Sequence, residues 1–148
     1  MKQIMILLLI LVGLVGCANR TAGPSFVGKP PKDATLQTIA ADAAVCLANL
    51  YPPGRTTIHL AMPKSESSGF GQALETSLRG KGFTLNPATT PTLSVSVQVA
   101  YVLDELQPGK AWYLNLKIAD ATGNRAFSRV YTAEGQPEAG FSTLEASK

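Results

Sequence analysis

An α+β domain, a mixed sheet of about five strands with helices on one of its faces, is the fold class this sequence predicts. Three features carry the prediction. Apolar residues recur at helical spacing in two stretches, 33–50 and 70–79. Two runs, 92–103 and 111–119, alternate apolar and polar residues with the period of a strand. The order helix, strand, helix, strand and then a meander places a parallel unit ahead of an antiparallel one.

The first helix begins at Asp33, read as its N-cap. Leu36, Ile39, Ala43, Cys46, Leu47 and Leu50 fall three or four apart and mark one apolar stripe. Tyr51-Pro52-Pro53-Gly54 ends it, because proline biases the preceding residue out of the helical region. Thr56 to Met62 is β-branched and short, a strand closed by Pro63, and Ser65 to Gly69 reads as a loop. The second helix, Phe70 to Arg79, buries Phe70, Ala73, Leu74 and Leu78 and stops at Gly80-Lys81-Gly82. Phe83 to Leu85 is the next strand, closed by Asn86-Pro87. A strand, helix and strand of this length predict a right-handed parallel crossover.

Leu93, Val95, Val97, Val99, Tyr101 and Leu103 alternate with Thr92, Ser94, Ser96 and Gln98. One face of that strand is therefore buried and the other largely polar. Gln107-Pro108-Gly109-Lys110 turns the chain into 111–119, where Trp112, Leu114, Leu116 and Ile118 repeat the alternation. After the turn at 120–124, Arg125 to Ala133 mixes Phe127 and Tyr131 with Arg125 and Arg129 on one face, a pattern that suits an edge strand. The domain spans 33–135, and residues 136–148 read as a frayed tail.

Ahead of the domain lies a leader. Lys2 precedes an apolar run from Ile4 to Val15, too short for a spanning helix and of the right length for a secretory signal. It ends in Leu14-Val15-Gly16-Cys17, a lipobox. There the Cys17 thiol takes diacylglycerol, residues 1–16 are removed and the freed amine is acylated with a fatty acid such as palmitate. One acyl chain holds a protein only marginally, whereas two or more anchor it stably. Ala18, in place of an aspartate, is the residue expected of a lipoprotein exported to the outer membrane. Residues 17–32 are rich in Pro, Gly and small polar residues and read as a flexible or partly extended tether, with Phe26-Val27 its one apolar point and docking into a partner subunit its alternative role.

The charge balance, 13 basic against 10 acidic residues, is too small and too scattered for direct nucleic-acid binding. With Cys17 occupied by lipid, Cys46 is the sole thiol and forms no internal disulfide; its setting in the helix stripe points to burial, with intermolecular pairing the alternative. His59, the single histidine, lacks the partners a general base or a metal centre requires, and reads as a solvated or hydrogen-bonded strand residue. Asp104-Glu105 point to opposite faces as they enter a turn, Gly69-Phe70-Gly71 and Gly80-Lys81-Gly82 complete no phosphate loop, and Ser67, Ser68 and Ser94 have no base set beside them. No catalytic, metal-binding or cofactor-binding residue emerges, which argues against an enzyme. Trp112 with Tyr113, and Phe127 with Tyr131, are expected in the core. An open sheet edge is the expected mode of recognising a partner.

The lipobox, Ala40-Ala41-Asp42-Ala43 through Leu50-Tyr51-Pro52-Pro53, Gly69-Phe70-Gly71-Gln72-Ala73-Leu74, Leu78 to Phe83, Tyr101-Val102-Leu103-Asp104 and Ser128 to Gly135 together resemble the TrbH family of conjugal-transfer lipoproteins. The resemblance implies a structural component of the mating-pair channel, a type IV secretion system crossing the Gram-negative envelope. Lipid on Cys17 would fix it to the outer membrane, its domain in the periplasm, among other secretion-channel subunits and in a homo-oligomeric ring. The family supplies no catalytic residues. The order of elements is also similar to other envelope lipoproteins, which makes an adaptor for lipid transport or cell-wall synthesis the alternative.

Overall fold

The computed structural model describes residues 21–63, 69–86 and 96–145. Helix α1, Asp33–Leu50, buries Leu36, Ile39, Ala40, Ala43, Ala44 and Leu47 along the stripe expected of it. Its N-cap is Lys32, which makes no side-chain capping bond. Asp33 is instead the first helical residue, where its charge complements the helix dipole. The Tyr51 amide bonds back to Leu47 and a short 3-10 turn, Pro53–Arg55, leads into strand β2, Thr57–Leu60. Helix α2, Phe70–Gly80, sets Phe70, Gly71, Leu74 and Leu78 inward. Strand β3, Thr84–Asn86, pairs parallel to β2, as the strand-helix-strand reading requires.

The long strands are β4, Ser96–Gln107, β5, Ala111–Asp120, and β6, Gly123–Thr132. Two more are short: β1, Phe26–Val27, and β7, Ser142–Glu145. Together they form one mixed sheet in the order β3-β2-β4-β5-β6-β7, with β1 also on β4. The fold is α+β as predicted, with two more strands than the five expected. Predicted residues 65–68, 87 and 92–95, including Ser67, Ser68, Leu93, Ser94 and Val95, lie outside the described residues.

Both additional strands fall where the sequence reads as tether and tail. Phe26 and Val27 pair parallel with Val102 and Leu103, so the segment before α1 is part of the sheet. Ser142 to Glu145 pair antiparallel with Ser128 back to Arg125, so β6 is an interior strand and β7 takes the edge. Neither segment is long enough to show a period of its own; each is held by the ready-made backbone of a longer neighbour.

Residues paired across strands share a face of the sheet. One face carries Ile58, Val97, Val99, Tyr101, Leu103, Leu114, Leu116, Phe127 and Tyr131, all buried in a single core with α1 and α2. Two glycines permit this packing. A Cβ on Gly71 would stand 2.6 Å from both Met62 Cε and Tyr101 Oη. Gly135 has φ +84° and sits against the Thr35 carbonyl, 2.9 Å from where its Cβ would be. The opposite face, with Phe26, Val102, Tyr113, Asn115, Lys117, Ala126, Ser128 and Leu144, has no helix on it among the described residues.

Candidate functional site

Leu14, Val15, Gly16 and Cys17 lie outside the described residues. Thr21, the first described residue, lies four positions after Cys17. Thr21 and Ala22 stand beside Asn115, Lys117, Ala126 and Leu144, enclosing with them a depression of about 330 Å³ on the helix-free face. Ser25 then enters the sheet plane between the ends of β1 and β2. Its hydroxyl donates to the Ala61 carbonyl and accepts from the Tyr101 amide at 3.0 Å, so one side chain spans the gap between two strands that share an edge of β4. The Gly28 amide bonds to the Leu103 carbonyl at 2.9 Å, and Lys29 reaches Glu105 at 3.5 Å.

The most chemically loaded side chains are gathered between α1 and β6. Arg129 donates to Asp42 at 2.7 Å, and the buried Tyr131 hydroxyl donates to the same carboxylate oxygen, Oδ2, also at 2.7 Å. The Arg129 guanidinium lies 3.9 Å from the centroid of Phe141, a cation–π contact that covers its other side. Nearby, burial pushes the Cys46 thiol up to about 11, Arg129 opposing the rise and Asp42 adding to it. Burial, aided by the bond to Asp42, holds the Tyr131 phenol far above its ordinary value.

At the far end of α1 a second cluster joins Tyr51, Asp120 and Arg125. Asp120 Oδ2 accepts from the Tyr51 hydroxyl and from Arg125, the latter at 2.7 Å. Its Oδ1 accepts from the Thr122 amide at 2.7 Å and the Gly123 amide at 3.2 Å, closing the β5–β6 turn. Burial opposes ionisation of Asp120, but the bonds from Thr122, Tyr51 and Arg125 outweigh it and hold the carboxyl well below the carboxylate range. Burial and the bond to Asp120 raise the Tyr51 phenol, leaving it a neutral donor.

These clusters explain the arginines of β6. Arg125 and Arg129 share a face with Phe127 and Tyr131, as the alternation requires, but that face lies under α1 and each guanidinium has a carboxylate partner. Core-phase charge on β6 is therefore paired charge, Arg129 with Asp42 on the helix and Arg125 with Asp120 of the hairpin. The sequence signal was available in Asp42, one turn from both Ile39 and Cys46 and thus at the margin of the buried stripe.

The remaining sequence candidates are not brought together. His59 is buried at 4 % exposure on the helix-free face, and its Nε2 has no hydrogen-bond partner among the described residues. Asp104 is exposed, while Glu105 pairs with Lys29. Trp112, Phe127 and Tyr131 are buried; Tyr113 faces the other way and meets Ser128 at 2.8 Å. Among the described residues no cluster of His, Cys, Asp and Glu is arranged to hold a metal ion, and no helix is long and apolar enough to cross a membrane.

The described structure defines a class: a small α+β domain whose ionisable side chains knit a helix to a strand and whose N-terminal segment is strapped across the open face of the sheet. Residues 20–146 match the family described as conjugal transfer protein TrbH, and the chain belongs to that family. It is thereby a component of conjugal transfer. No curated protein and no solved structure gives a significant match.

Proposed function

We propose that this protein is an outer-membrane lipoprotein, anchored through Cys17 with its domain in the periplasm, that serves as a structural part of the mating-pair channel rather than as an enzyme. The observation that carries this reading is the family match across residues 20–146, immediately downstream of a lipobox at Leu14-Val15-Gly16-Cys17. The structure supports it in one respect: the carboxylate, guanidinium and phenol groups of both clusters are spent on joining α1 to the β5–β6 hairpin. Its partners are other transfer-channel subunits, with further copies of itself in a ring, and the open edges of the sheet at β3 and β7 are where a strand from a partner would add.

Replacing Cys17 tests the anchor. The Cys17→Ser protein is expected to remain an uncleaved precursor without lipid, to leave the outer-membrane fraction and to lose plasmid transfer in a mating assay. Retention of both outer-membrane fractionation and transfer would overturn the proposal. Affinity purification of the wild-type lipoprotein should recover other channel subunits; recovery of lipid-transport or wall-synthesis machinery instead would support the adaptor reading.

A further inference from the structure

We infer that the helix-free face of the sheet lies against the membrane surface, with α1 and α2 turned away from it. The inference rests on acylation of Cys17 and adds an orientation to it. From Cys17 to Thr21 is four residue steps, a reach of at most ~14 Å fully extended. Thr21 and Ala22 lie on the helix-free face, over Lys117, Ala126 and Leu144. The tether thus starts on that face, over β5, β6 and β7. The outer surfaces of α1 and α2 lie beyond the sheet by at least a helix diameter, ~10–12 Å. A ~14 Å tether leaving the near side is too short to run around the sheet and bring the far surface to the bilayer.

Exposed apolar residues on the same face select a lipid surface and a face-on approach. Leu144 on β7 is 66 % exposed and Phe26 on β1 is 53 % exposed. Leu144 pairs with Ala126, and Phe26 with Val102, so both project from the helix-free face. β1 and β7 flank β4, β5 and β6 on opposite sides, about 19 Å apart at ~4.8 Å per strand. A contact through the β7 edge would use Leu144 and leave Phe26 in water; only apposition of the whole face engages both. The partner is the headgroup and upper acyl region of the bilayer in which Cys17 is held, into which an apolar side chain reaches ~5–10 Å.

The test uses the full acylated protein in vesicles of phosphatidylethanolamine and phosphatidylglycerol, with Cys46→Ala to remove the internal thiol. A fluorophore is attached through Leu144→Cys on the helix-free face or through Thr76→Cys on the exposed side of α2, and nitroxide-labelled lipids serve as quenchers. The label at position 144 is expected to be quenched roughly threefold or more beyond the label at 76, as suits a group within ~5–10 Å of the headgroup boundary. Equal quenching, or stronger quenching at 76, overturns the orientation. Mass spectrometry of the N-terminal peptide separates the two premises: acylated protein with equal quenching sinks the orientation alone, whereas an unmodified Cys17 sinks the anchor and the orientation with it.

Discussion

The middle and the C-terminal end of α1 are fastened to the β5–β6 hairpin by the same three kinds of side chain, distributed in opposite ways. At its middle the helix contributes the carboxylate, Asp42, and β6 contributes both donors, Arg129 and Tyr131. At its C-terminal end the helix contributes only the Tyr51 phenol, and the ion pair, Asp120 with Arg125, lies wholly within the β5–β6 hairpin. The first cluster exists only when helix and strand are together. The second holds a turn regardless and shares one carboxylate oxygen with the helix. Identical chemistry therefore has a different structural weight at the two positions.

Asp42→Ala is expected to have the largest effect. It leaves the Arg129 guanidinium, 16 % exposed, and the buried Tyr131 hydroxyl without their acceptor, and should cost about 3 kcal/mol, measured by urea unfolding. Acid should follow at about 2 kcal/mol, the worth of a charge-assisted hydrogen bond. Because folding depresses the Asp120 pKa, its stabilisation is present above the unfolded carboxyl value near pH ~4 and is lost as the pH falls below it. Asp120→Asn, compared with the wild type in pH-dependent unfolding, should flatten that loss; an unchanged acid limb would mean that other carboxylates carry it.

Tyr51→Phe removes one hydroxyl donor and leaves the Asp120–Arg125 pair intact at 2.7 Å. About 1 kcal/mol is expected, well below the Asp42 value, and a cost equal to it would erase the distinction between the clusters. The smallest effect on folding and the most local readout belong to Cys46. With its thiol raised from 9.0 to about 11, it should react with a maleimide at pH 8 roughly a hundredfold more slowly than an unperturbed thiol. The rate is to be measured in the Cys17→Ser chain, where no other thiol is present. A rate close to that of a free thiol would show that α1 opens readily over β6.

What the sequence disclosed follows from how long each periodic signal runs. The stripe from Leu36 to Leu47, the alternation from Val97 to Leu103 and that from Trp112 to Ile118 each repeat several times, and all three became the elements they predict. β1, only 2 residues long, and β7, with 4, repeat too little to register; their pairing depends on where β4 and β6 leave backbone groups free. The Asp33 cap failed for a related reason, since an aspartate just before a helix and one at its first position give the same local signal. Arg125 and Arg129 were read as edge charges because alternation assigns them a face but does not say which side chain waits there. Asp42 lies 87 residues from Arg129, and that separation is what local reading cannot cross. The family resemblance reached further because Asp42, Tyr51, Gly71, Arg129, Tyr131 and Gly135 all sit inside the quoted motifs.

The 2-residue strand β1 also determines how the domain bears mechanical load. A pull on the N-terminus meets Ser25, Phe26 and Val27 first, held by a few hydrogen bonds to one edge of β4. Val27 also packs against the α1-covered core, so detaching the strap uncovers part of that core. Peeling the strap as far as α1 would free residues 21–32, a length of up to ~40 Å. The strap is thus a reserve of length that tension on the N-terminus would draw on, at the expense of Val27's contacts with the core.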